Sequence, residues 1–176
     1  MYSPKPPQST WSALRHPAFA ALWRSGSLYF VANAMQTMAA AWMMLQLTGS
    51  SFLAALVQTA VFLPMFLLSL PAGVLADITD RRRLMLGALS LQAATSALLA
   101  ALLFAGVGGP AALLFFVFLS GACTAMLSPA WNSTVADSVP RDELRNAITA
   151  VAIAHNGARA LGPARAGAVC TLGSGT

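Results

Sequence analysis

Three apolar runs, at residues 22–47, 52–76 and 84–107, each hold more than twenty residues, and a shorter fourth covers 111–131. A helix rises about 1.5 Å per residue and the hydrocarbon core of a bilayer is about 30 Å thick, so such runs can cross it with some tilt. No period-two alternation separates a lipid face from a lumen face, which argues against membrane β-strands. Composition agrees. Of the 176 residues 57% are apolar and 9% charged, against about 25% charged in soluble domains. A chain this poor in charge cannot cover a water-facing surface, so its expected solvent is the lipid bilayer. The expected fold is an all-α integral membrane protein, a helical bundle with four clear transmembrane helices and a fifth, incomplete one at 144–169.

The breaks fall between the runs: Gly49-Ser50-Ser51, the charged block from Asp77 to Arg83, and Gly106, Gly108, Gly109 and Pro110. Residues 1–18, with Pro4, Pro6, Pro7 and Ser9, read as a cytoplasmic tail leading into a short interfacial segment from Trp11 to Arg15. Pro140 suits the first position of the fifth helix, with Asp142 and Glu143 in a first turn where carboxylates complement the helix dipole. Arg159 and Arg165 interrupt that helix, and residues 173–176 read as a truncated or frameshifted end to a partial transmembrane domain at 19–172. A cleaved signal peptide is the alternative for the first run, because Met38-Ala39-Ala40-Ala41 offers small residues. Against it, Asn33 and Gln36 interrupt the apolar core and the polar region before it is too long.

The net charge is +5, from ten Lys and Arg residues. They lie in short clusters without interleaved aromatics, which argues for a topological role and no nucleic-acid partner. Lys5, Arg15 and Arg24 come before or at the start of the first run, Arg81, Arg82 and Arg83 after the second, and Arg141 and Arg145 after the fourth. These eight fall on one side, which the positive-inside rule makes cytoplasmic. The expectation is a multi-pass protein of the cell inner membrane with its N-terminus in the cytoplasm.

Cys123 and Cys170 both lie in apolar stretches, with no disulfide framework and no nearby ligands to complete a metal site. No His cluster, carboxylate pair or activated nucleophile shares one depth, so neither an enzyme nor a cofactor is expected. Polar residues inside the runs are few: Asn33, Gln36, Gln58, Gln92, Thr95, His155, Asn156 and Arg159. Such groups usually face a bundle interior or a wet cavity. Asn33 and Gln36, three apart, are candidates for a substrate path or for an interhelical hydrogen bond. His155 and Arg159, four apart, are candidates for proton coupling, since His titrates near neutral pH, or for an interfacial pair. Two four-residue stripes of small residues, Ala93-Ala97-Ala101-Ala105-Gly109 and Ala150-Ala154-Ala158-Gly162-Ala166, would let helices approach closely.

The block from Gly73 to Arg83 sets carboxylates beside three guanidinium groups, which can latch neighbouring helix ends through charge-assisted hydrogen bonds or serve only as a stop-transfer anchor. It resembles the cytoplasmic signature loop of the major facilitator superfamily: Gly73, Asp77, Arg81, Arg82 and Arg83 match in register, while Ile78 and Asp80 replace a basic residue and a glycine. Phe62-Leu63-Pro64, residues 129–137 and the stretch from Val139 to Ala147 resemble the branch of enterobactin-type exporters, also called transmembrane secretion effectors. The similarity covers roughly residues 17–163. Gly162 and Pro163, with Gly167, resemble the fifth-helix motif of proton-coupled export, although its closely spaced glycine pair is absent and Arg165 intrudes. A proline there removes one backbone bond and permits bending.

The resemblance implies the N-terminal part of a twelve-helix exporter, with a small molecule bound between two six-helix halves that rock under a proton gradient. Five segments do not make one half, so the isolated chain is expected not to transport. A missing C-terminal half or a partner membrane protein would complete it. The alternative is a small structural or assembly membrane protein that works by helix packing. No residue identifies the substrate, because one fold hosts many. The topology is directly testable. With Cys123 and Cys170 changed to serine, Arg82→Cys should react with an impermeant maleimide only once the inner face is opened, and Ser50→Cys should react from outside; the opposite labelling would overturn the orientation.

Overall fold

The computed structural model describes residues 10–173, apart from the side chains of Asp77 and of residues 161–173. A short 3-10 helix, Thr10–Arg15, precedes five long helices: α1 Pro17–Thr48, α2 Ser51–Ile78, α3 Arg81–Phe104, α4 Pro110–Asp137 and α5 Leu144–Gly173. Among the described residues there is no strand. Three of the helices, α2 over Ser51–Ala76, α3 and α4, are long and apolar enough to cross a membrane. Helix α1 has the length, 32 residues, but Asn33, Gln36, Thr37 and Gln46 dilute it below that apolarity. Helix α1 nonetheless covers the whole of the first expected span, residues 22–47.

Helix ends follow local chemistry. Pro17 opens α1, where its missing N–H costs no helical bond. Gly49 closes the helix, its amide donating to the Leu45 carbonyl at 2.8 Å. Ser50 then caps α2 by accepting from the Leu53 amide at 3.4 Å. Helix α3 stops at Phe104, short of the expected 107. Gly106 takes a φ of 71°, which only glycine adopts readily. The amides of Val107 and Gly108 then fold back on the Leu102 carbonyl at 3.1 and 3.0 Å. Helix α4 runs through Pro129 to Asp137, beyond the expected 131, since one proline removes only one rung of a 28-residue ladder. Helix α5 begins at Leu144, so Pro140 to Glu143 form a turn before it, and its first turn holds no acidic residue. The Glu143 carbonyl accepts from the Ala147 amide at 3.0 Å. This corrects the placing of Pro140 at the first helical position.

The chain divides into two compact units, one of residues 36–132 and one of residues 1–35 with 133–176. In the first, Ala40 and Met44 of α1, Val57 of α2, and Leu113 and Val117 of α4 form a buried cluster. Helices α2 and α4 touch closely at Gly121. A Cβ there would collide with the carbonyl oxygen of Val61 and lie 2.8 Å from Cγ of Pro64. In the second unit the 3-10 helix packs on α5. Asn146 Nδ2 donates to Ser12 Oγ at 3.1 Å, and Trp23 Nε1 donates to the Ala150 carbonyl at 3.0 Å. Trp11 meets Trp23 edge to face.

Outward surfaces are apolar. Phe66 and Leu70 on α2 are 80% and 83% exposed. Burying a side chain of this kind is worth about 1.5–3 kcal/mol, so several of them left in water would offset a typical folding stability of about 5–15 kcal/mol. Lipid removes that penalty. Of the apolar window, 11% is buried in α2, 17% in α3 and 39% in α4, which makes α4 the most enclosed of the three. The alanine stripe of α3 departs from expectation. Ala93, Ala97, Ala101 and Ala105 are exposed, while Ala88, Gln92, Thr95 and Leu99 form the buried face nearly opposite. On α5, Ala150 and Ala158 are buried as the stripe expects, and Gly162 and Ala166 lie outside the described side chains.

The Gly121 contact generates a test. Gly121→Leu should lower stability by about 1–3 kcal/mol through overpacking, read as a fall in thermal midpoint by circular dichroism in detergent. Gly87→Ala, where an added Cβ meets nothing within 4 Å, should leave the midpoint unchanged or raised; equal behaviour of the two would contradict the close approach.

Candidate functional site

The turn between α2 and α3 is built by its own residues. Helix α2 ends at Ile78, and the Thr79 amide returns to the Leu75 carbonyl at 3.0 Å. Asp80 caps α3: its Oδ1 accepts from the amides of Arg82 at 2.8 Å and Arg83 at 3.3 Å. A carboxylate at this position satisfies free N–H groups and faces the positive end of the helix. The aspartate that stands in place of the loop glycine is therefore a cap. Its consequence is positional, because the first three residues of α3 are Arg81, Arg82 and Arg83, all exposed. Gly73 is half-buried in α2, and a Cβ there would meet nothing within 4 Å, so packing in this conformation does not require glycine. The side chain of Asp77 lies outside the described residues.

Behind the arginines, α3 and α4 flank an open apolar groove of about 380 Å³ lined by Thr79, Arg83, Leu84, Leu91, Leu119 and Met126, among others. Deeper in the same unit the helices share polar contacts. Gln92 Nε2 donates to Ser120 Oγ at 2.7 Å, with both residues buried. Ser96 Oγ donates to Gln36 Oε1 at 3.1 Å and also lies 2.9 Å from the Gln92 carbonyl. Thr95 folds its hydroxyl onto the Leu91 carbonyl of its own helix. These bonds tie α1, α3 and α4 together. In membranes such interhelical bonds average about 0.6 kcal/mol, enough to set helix rotation and too little to lock it. Gln36 is thus engaged by Ser96, and a substrate using it would have to exchange that bond. Asn33 is half-buried one turn earlier on α1. Gln58 points outward and is exposed.

In the other unit, His155 and Arg159 are both exposed on α5. The His155 ring stands edge-on to Phe30 of α1, with centroids 5.0 Å apart. Gly162, Pro163 and Gly167 lie within α5, and their side-chain environment is outside the described residues. A contact not anticipated from the sequence joins His16 Nε2 and Glu143 Oε2 at 3.2 Å. Its members are 127 residues apart, so no local spacing announces it. Ser96 and Ser120 were equally silent, although Ser96 lies four residues after Gln92 and therefore on its face. Among the described residues no group of three His, Cys, Asp or Glu side chains gathers as a metal site.

The model of one protein family, described as transmembrane secretion effector, matches residues 8–175. Comparisons with curated proteins and with solved structures gave no match. The match takes in both units, the arginine turn and the polar contacts between helices, and on that basis the chain belongs to the transmembrane secretion effectors, a membrane transporter family of the major facilitator type.

Proposed function

We propose that these helices form the first part of an exporter that moves a small molecule, siderophore-like or drug-like, across the cell inner membrane in exchange for protons. The family match over residues 8–175 is the observation that carries this reading. The capped turn supports it. Asp80 anchors the start of α3 so that three arginines occupy its first turn. In this reading they bond carboxylates or helix ends of a second transporter half in one rocking state and release them in the other, with Asp77 holding the turn and Gly73 leaving room for approach. A hydrogen bond to a charged group contributes about 1.5–3 kcal/mol, so a single bond made in only one state shifts the balance of states at least tenfold.

The remaining roles follow the same reading. Asn33 and Gln36 contribute to the substrate path, and Gly162, Pro163 and Gly167 let α5 bend between states. His155 and Arg159 take part in proton coupling at the end of α5 nearer the cytoplasm. The N-terminus and the arginine turn face the cytoplasm. Five helices supply less than the six of one half, so a closed path requires further helices from the same or another chain.

A second reading, a structural or assembly protein that works by helix packing, is favoured by one observation: the small-residue stripe of α3 is exposed, as an unfilled helix-docking face would be. Flux measurements separate the two. Proteoliposomes holding these helices alone should show no proton-driven movement of siderophores or cationic dyes. Once the remaining helices are present, flux should appear, and changing Arg81, Arg82 and Arg83 together to alanine should reduce it about tenfold or more without loss of insertion. No flux even then, with a defined hetero-oligomer captured by crosslinking at Ala97→Cys, would favour the assembly reading.

A further inference from the structure

We infer that the cleft between α3 and α4 binds one anionic phospholipid, with an acyl chain between the helices and the headgroup phosphate at Arg83. The proposal requires membrane insertion and is independent of transport. Its walls suit a hydrocarbon chain. Leu84 and Leu91 of α3 face Leu119 and Met126 of α4, and the volume of about 380 Å³ lies within the roughly 300–1,000 Å³ of ligand pockets generally. Its length fits as well. From Arg83 to Leu91 the helix rises about 12 Å, most of the half-thickness of a hydrocarbon core about 30 Å across.

The charge of the mouth selects the headgroup. Arg83 lines the cleft, and Arg81 and Arg82 stand beside it, exposed on the same first turn. Among the described residues no carboxylate lines the cleft, and Asp80, next to Thr79 in sequence, turns an oxygen onto the helix amides. A guanidinium forks onto a phosphate through paired N–H donors. A zwitterionic headgroup places an ammonium beside its phosphate, where the other two arginines oppose it. A headgroup with net negative charge has no such penalty.

Gly87 makes the test clean, because it lines the cleft and a Cβ there meets nothing within 4 Å. Gly87→Leu should therefore place its added carbons in the cleft, and an unchanged circular-dichroism midpoint in detergent would show that the fold is kept. The chain would be reconstituted in nanodiscs of equal phosphatidylcholine and phosphatidylglycerol, then released and weighed by native mass spectrometry. One retained phosphatidylglycerol is expected. Arg83→Gln should reduce its retention about tenfold or more, as loss of a direct hydrogen bond between charged groups would, and Gly87→Leu should abolish it with every charge intact. Arg82→Gln, whose side chain does not line the cleft, should retain most of it. Equal retention of both lipids, equal loss in Arg82→Gln and Arg83→Gln, or full retention in Gly87→Leu would each overturn the proposal. So would a dimer that Gly87→Leu abolishes, since the cleft would then belong to a second copy of the chain.

Discussion

In hydrocarbon no water is available to take up a free amide or carbonyl, and an unsatisfied group costs several kcal/mol. That constraint shapes the whole molecule. It makes helices the economical form for runs of this length, and it puts the burden of specificity on helix ends and helix contacts. The ends are served locally: Ser50 and Asp80 cap the starts of α2 and α3, and Gly106 turns the end of α3 back on the Leu102 carbonyl. Between spans only Gly49 and Ser50 separate α1 from α2, and only Thr79 and Asp80 separate α2 from α3. Turns this short make consecutive helices antiparallel neighbours.

Contact between helices needs another principle, because lipid is as apolar as leucine and provides no hydrophobic drive. Close backbone approach and a few polar bonds take its place. Gly121 lets α4 reach the backbone of α2 at Val61, next to the buried ring of Pro64. Gln92 with Ser120, and Ser96 with Gln36, fix which face of α3 turns inward. The exposed alanine stripe is the corollary. Once Gln92 and Thr95 must point inward, the face of Ala93 and Ala97, nearly opposite, must point out.

The charged residues sort by a separate rule. Few of them enter the spans, so they gather at the turns, and there one residue can serve two ends. Asp80 completes the backbone bonding of α3 and, by beginning the helix at that point, presents Arg81, Arg82 and Arg83 as a set. In the second unit Glu143 precedes α5, its carbonyl accepting from Ala147 and its carboxylate meeting His16.

Much of the architecture was legible in the sequence, because length, apolarity and charge placement act over contiguous residues. The all-α membrane class, the helix breaks at Gly49 and at the Asp77 to Arg83 block, and the family all followed from stretches read in order. Helix limits were less legible, since the folding back at Gly106, the passage of α4 through Pro129 and the turn from Pro140 to Glu143 depend on which carbonyls remain free. The rotation of each helix, the pairing of Gln92 with Ser120, the need for Gly121 and the cleft beneath Arg83 were decided by tertiary structure alone. A sequence specifies which side chains a helix carries; which of them meet depends on how neighbouring helices approach, and that approach is set by residues distant in the chain.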